Sequence, residues 1–150
     1  MRVDETAHRR RWMAVLAQAE PAELAAAWQT LAPPPVYELL RRPEAGLVML
    51  RGRVGGDGEP FNVGEMTVTR CSVRLLDGGI GHAYVAGRNS RHAELAAVFD
   101  ALLQDKKRCA AMENKVVAPL EALQRERRLT ASRKAAATRV DFFTLVRGED

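Results

Sequence analysis

The sequence predicts an α+β fold: an N-terminal helical pair, a four-stranded antiparallel meander, a covering helix, and an extended C-terminal helical region with a docking tail. Three observations carry this reading. Apolar residues recur at helical spacing on both sides of a central stretch. That stretch, residues 36–87, alternates with period two between glycine turns. The apolar cluster Val140, Phe142, Phe143, Leu145 and Val146 follows a helix too poor in large apolar residues to hold it, and such a segment stays ordered only when docked.

Each element has its own warrant. Trp12, Val15, Leu16 and Ala19 fall at i, i+3, i+4 and i+7; Leu24, Ala27, Trp28 and Leu31 repeat that spacing after Pro21, a residue tolerated in a first helical turn. The run Pro33-Pro34-Pro35 donates no backbone hydrogen bonds and ends the second helix. Val36 to Arg42 and Leu47 to Val54 read as two strands joined through Pro43-Glu44-Ala45-Gly46, and Gly55-Gly56-Asp57-Gly58 supplies the positive-φ positions of the next reversal. A third strand within Gly64 to Leu76 and a fourth from Ile80 to Ala86 meet at Asp77-Gly78-Gly79. In the third, Thr67, Thr69, Cys71, Val73 and Leu75 share one face, while Arg70 and Arg74 share the other. In the fourth, Gly81, Ala83, Val85 and Gly87 make a face small enough for a helix to approach closely. Asn89 or Ser90 caps the covering helix, whose stripe is Leu95, Val98, Phe99, Leu102 and Leu103. A further helix from about Ala110 is expected to stop near Pro119, followed by a basic, alanine-rich helix over 120–138. A chain of 150 residues is expected to be one domain, 1–150, divided into a helical pair (1–32), a sheet (36–87), helices (89–139) and a tail (140–150).

Composition narrows the function classes. The hydrophobic fraction of 47% leans on alanine and aromatics reach only 5%, so the core is expected to be thin and a partner to complete it. The net charge is +4, concentrated late: residues 105–139 hold ten Lys and Arg against four Asp and Glu. That surplus fits an acidic protein partner, a solvated helix face, or, in the rival reading, a basic nucleic-acid-binding adaptor. No aromatic stacking platform or reading helix supports the rival, so no nucleic-acid partner is expected. No segment suits a signal peptide or a membrane span, so a cytoplasmic protein without a membrane partner is expected. Cys71 and Cys109 are too far apart for paired-ligand spacing, and His8, His82 and His92 are scattered, so no metal site is expected from this chain. The glycines at 52, 55, 56 and 58 lack the following Gly-Lys-Ser/Thr of a phosphate loop. Without a nucleophile elbow or an activated cysteine, no catalytic residue is assigned.

The sharpest chemical candidates are Arg88, Arg91 and His92, at the opening of the covering helix. Unpaired N–H groups and the macrodipole favour an anion there, and arginine suits phosphate. His92 lies one turn before Leu95, so packing inward is the competing role; for both arginines it is a salt bridge to a partner. Arg70 and Arg74, with Arg51 and Arg53 on the neighbouring strand, make a second cationic surface unless Glu65 or Glu59 neutralises it.

Residues 55–65 (GGDGEPFNVGE), Thr69-Arg70-Cys71-Ser72-Val73-Arg74-Leu75, Gly87-Arg88 with His92-Ala93-Glu94, and 139–148 (RVDFFTLVRG) together closely resemble the G subunit, PhnG, of the bacterial carbon–phosphorus lyase core complex. The resemblance spans nearly the whole chain, including Trp12-Met13, Pro21-Ala22-Glu23-Leu24-Ala25 and Ala118-Pro119-Leu120. His82 and Asn89 depart from it, standing where tyrosine and aspartate are common. It implies a non-autonomous subunit acting with H, I and J subunits and an L protein, in two copies within a symmetric complex. With the H, I and L proteins it would support transfer of the ribose triphosphate moiety of ATP to methylphosphonate or another alkylphosphonate, releasing adenine. ATP is then a substrate of the complex, with no cofactor bound by this chain alone.

Overall fold

The computed structural model describes residues 2–139. Helices α1 (Arg2–Gln18) and α2 (Pro21–Gln29) lead into strand β1 (Tyr37–Arg53). Strands β2 (Pro60–Leu75) and β3 (Ile80–Ala86) complete one antiparallel sheet of order β1-β2-β3. Helix α3 (Ser90–Leu103) covers it, followed by α4 (Lys106–Met112), a π-helical stretch at Glu113–Val117, and α5 (Ala118–Ala137). The α+β class and the helical pair agree with the sequence reading. The docking tail, with Val140, Phe142, Phe143, Leu145 and Val146, lies outside the described residues.

Among the described residues the sheet has three strands, not four. The two strands expected at 36–42 and 47–54 are one long strand, because Pro43-Glu44-Ala45-Gly46 does not reverse the chain. Proline is tolerated on an edge strand, where a missing donor breaks no ladder bond. The register shifts instead: Arg41 pairs Ser72 and Glu44 pairs Arg70, so the residues between them bulge opposite Cys71. The reversals fall where glycine takes positive φ, at Gly55 (65°) and Gly56 (89°) between β1 and β2, and at Gly78 (94°) between β2 and β3.

A second correction concerns Pro119, where a helix stop was expected. The helical path runs on through the wider π turn, where the Ala118 N–H reaches back five residues to the Glu113 carbonyl, and Pro119 is taken up directly after this widened turn.

The core lies between the sheet and α3, sealed by α1 and α2. Two of the expected stripes are inside: Trp12, Val15 and Leu16 of α1 with Ala19 just past its end, and Leu95, Val98, Phe99, Leu102 and Leu103 of α3, are all buried, whereas of the α2 stripe Leu24 is buried and Ala27, Trp28 and Leu31 are half-buried. The small face of β3 does what its composition suggested. A Cβ placed on Gly81 would stand 1.9 Å from the Ala97 carbonyl oxygen and 2.6 Å from the Ala101 nitrogen. Alanine in this core therefore sets a short helix-to-sheet distance rather than merely diluting apolar content.

One charge lies at the centre. Asp100 of α3 is fully buried and accepts from Arg9 Nε (3.1 Å) and Nη2 (2.7 Å), Trp12 Nε1 (2.9 Å), the His82 backbone N–H (3.0 Å) and Gln104 Nε2 (3.2 Å). A buried carboxylate needs this many donors to offset its lost hydration, and these donors tie α1, α3 and β3 into one block.

The far end of the sheet is different. Strand β3 stops pairing at Val68↔Ala86, while β1 and β2 continue as a two-stranded ribbon over 47–53 and 60–67. Along it Leu47 is 63% exposed, Met49 53%, Leu50 40%, Phe61 47% and Val63 61%.

Candidate functional site

The anion-directed candidates sit where β3 hands over to α3. Gly87 turns the chain at φ 80°, with its N–H on the Thr67 carbonyl at 2.8 Å. The buried Thr69 hydroxyl donates to the Gly87 carbonyl at 2.7 Å and accepts from the Asn89 N–H at 3.0 Å. Asn89 then caps α3, its Oδ1 accepting from the His92 backbone N–H at 2.9 Å. Arg88 is thereby held on a fixed loop, exposed, at the positive end of a helix.

Arg88, Arg91 and His92 are neighbours in sequence but not equivalents in space. His92 points inward: the residue is buried and its Nε2 lies 2.8 Å from the Leu16 carbonyl oxygen, which joins α3 to α1. That is the packing role weighed for it. Arg91 has partners within the chain, with Nη1 3.4 Å from Glu94 Oε2 and its guanidinium carbon 5.5 Å from the centre of the Trp28 ring. The Tyr37 hydroxyl donates to Glu94 Oε1, and burial, then the Glu94 bond, raises the Tyr37 pKa so that the phenol keeps its proton. Trp28 and Tyr37 meet edge to face at 6.1 Å. Arg88 is thus the cation of this group most available to an external anion, flanked by a semi-neutralised Arg91 on an aromatic shelf.

The second cationic surface is largely balanced. Arg70 Nε lies 2.8 Å from Glu44 Oε1, and Arg74 Nη1 lies 2.9 Å from Glu38 Oε1. These are direct cross-strand partners in register. Arg41 shares Glu44 at 2.9 Å, and the Tyr84 hydroxyl, then Glu44, raises the Arg70 pKa. The neutralising acids are Glu38 and Glu44 rather than Glu65 or Glu59. The single long β1 is the reason, since it places its acid-bearing half beside Arg70 and Arg74. Arg51 and Arg53 are carried onto the ribbon, opposite Asn62 and Pro60. On the same outer face Ser72 Oγ lies 2.8 Å from His82 Nδ1, another cross-strand pair.

Sequence reasoning missed Thr69 as the residue that sets the loop, Glu94 as the partner of Arg91, and Asp100 as the buried hub. The Arg91/Glu94 pair carried a signal, since i,i+3 opposite charges meet on a helix. The other two carried none, because their partners are distant in sequence. The remaining titratable groups suit structural roles: burial pushes the Cys71 thiol up to about 11, and burial and then Glu113 raise the Cys109 pKa. A cleft of about 550 Å³ is lined by Pro33, Pro34 and Pro35 together with Leu102, Met112 and Lys115. No described helix is long and apolar enough to cross a membrane.

Comparison with known proteins points in one direction. Residues 7–148 match the family described as phosphonate metabolism protein PhnG. A relative from Rhizobium meliloti (strain 1021), the alpha-D-ribose 1-methylphosphonate 5-triphosphate synthase subunit PhnG, is 47% identical over 147 residues, covering 96% of this chain and 92% of the relative.

Proposed function

The chain belongs to the PhnG family of phosphonate metabolism proteins, and we propose that it works as a non-autonomous subunit of a ribose 1-methylphosphonate 5-triphosphate synthase within a carbon–phosphorus lyase complex. The reaction of that assembly is transfer of the ribose triphosphate moiety of ATP to methylphosphonate or a related alkylphosphonate. A phosphonate oxygen forms a bond to C1′ as the bond from C1′ to adenine breaks, and adenine leaves with the proton it gains. H and I subunits and an L protein share this step, a J subunit joins the core, and two copies of this chain stand in a symmetric cytoplasmic assembly. The chain itself supplies surface and charge rather than a nucleophile.

The observation that supports subunit status is the apolar ribbon. A two-stranded hairpin is marginally stable in water by itself, and a cluster of exposed large apolar side chains marks an interface. Leu50, Phe61 and Val63 therefore seat against a partner subunit. Arg88, on its fixed loop at the α3 N-terminus, faces the polyphosphate or phosphonate oxygens that the partner's site holds, with Arg91 beside it.

Coexpression with the H, I and J subunits tests this. Leu50→Glu with Val63→Glu is expected to abolish copurification, while the isolated variant keeps its circular dichroism and melting temperature; full copurification would overturn the ribbon's role. Arg88→Ala is expected to raise KM for the triphosphate substrate in an intact complex, and unaltered kinetics would remove it from the site.

A further inference from the structure

Helix α5 leaves the body of the protein partway along its length. Gln124 Nε2 donates to the Val15 carbonyl at 2.8 Å, Arg127 binds the Glu23 carboxylate, and Arg128 Nη2 donates to Gln18 Oε1 at 2.6 Å. Every residue from Arg125 to Arg139 is exposed. After Arg128, nine residues of helix, Leu129–Ala137, continue for about 13 Å at the usual 1.5 Å rise.

The charge of the helix from residue 122 onward is one-sided. Residues 122–138 contain five Lys and Arg and one acid, Glu126. Arg127 is spent on Glu23. Among the described residues, Arg125 and Arg133 form no salt bridge; Glu121, one turn before Arg125, is held by Arg11 at 2.6 Å. Arg125, Leu129 and Arg133 fall at i, i+4 and i+8, so they form one stripe with an apolar centre that is 50% exposed. Ser132 and Ala136 flank the stripe with small side chains, and the distance between packed helices is set by side-chain size at the contact.

We propose that this stripe is a docking surface for an acidic amphipathic helix of a partner subunit, one carrying two carboxylates that bracket an aliphatic side chain at the same four-residue spacing. The proposal rests on the subunit reading above and adds a second contact, separate from the ribbon. Charge complementarity selects the carboxylates, and Leu129 selects a protein over a polyanion. A phosphate backbone would use the arginines but leave an exposed leucine at the centre of the contact without a role, and α5 offers no aromatic side chain for base stacking.

The test uses the full chain and a fluorophore-labelled helical peptide bearing a Glu-x-x-x-Leu-x-x-x-Glu stripe on an Ala/Gln background, titrated by anisotropy. Saturable binding is expected, weakened about tenfold or more by raising salt from low to high ionic strength, because exposed pairs are screened. Arg133→Glu and Leu129→Asp are each expected to weaken it at least tenfold, and Leu50→Glu on the ribbon to leave it unchanged. Absence of binding at low salt overturns the proposal. So does binding that is insensitive to Leu129→Asp and displaced by duplex DNA, the outcome a nucleic-acid surface would give. A peptide that fails to bind, with the complex still assembling through the ribbon, removes this surface alone. Peptide binding without assembly removes the subunit reading alone.

Discussion

The two ends of the β1–β2 pair are built from the same strands and meet opposite fates. At the end near Val73, β3 adds a third strand and α3 lies across it, so Cys71, Val73 and Leu75 are buried. At the ribbon end, among the described residues, neither β3 nor a helix follows, and Leu47, Phe61 and Val63 are exposed. The residue types hardly differ. What differs is whether a described element covers the strands, and the contrast shows that apolar content alone does not tell a buried face from an exposed one.

The comparison breaks first at Asp100. Asp100→Leu leaves the Trp12 indole N–H, the His82 N–H and the Arg9 guanidinium without their acceptor. A loss of about 2–4 kcal/mol is expected, from stranded donors and a broken buried pair, read as a fall in denaturation midpoint. A variant as stable as the parent would mean the hub does not hold the closed end. Next comes Gly81→Val, which drives a side chain into the Ala97 carbonyl. Overpacking of this kind costs about 1–3 kcal/mol, and chemical denaturation with unchanged stability would show that α3 can lift away freely.

Two pH effects sharpen the picture further. Cys71 is held protonated by burial, with its pKa raised from 9.0 to about 11. The unfolded thiol ionises first, so stability is expected to fall between those two values as pH rises, and less so in Cys71→Ala. A flat profile would mean that the thiol is more open than the closed end implies. On the acid side, the Arg127 bond lowers the Glu23 pKa and the Arg11 bond lowers that of Glu121. Their contribution is present above the ordinary glutamate value of 4.5 and lost as pH falls through the lower folded values. Amide exchange in α5 is therefore expected to rise in acid before that of α3, and simultaneous release would contradict local tethering. The smallest effect belongs to the open end. Leu47→Glu in the isolated chain is expected to change stability by no more than about 0.5 kcal/mol, as for other surface positions; a large loss would show that the ribbon is covered from within.

Much of this was legible from one dimension. The stripes of α1 and α3, a cap at Asn89 or Ser90 and the close approach over Gly81 follow from periodicity, residue type and side-chain size, which act between near neighbours. The division of β1 into two strands was misread because Pro43 and Gly46 signal a turn by composition, while strand pairing decides whether one forms. The candidate site divided in the same way. Arg88 was readable as a cation at a helix start, but the inward turn of His92 depends on the Leu16 carbonyl, and the balance of Arg70 and Arg74 depends on β1 register.

By itself, then, the order of residues determined the class of fold, the apolar faces and the family, since each is written in local spacing or in motif. The tertiary structure alone decided which charges are spent on one another, that Asp100 is the hub, and that an apolar ribbon and a cationic helix are left facing outward. Those outcomes depend on contacts between residues tens of positions apart, and a carboxylate or a leucine carries no local mark of whether its partner is this chain or another.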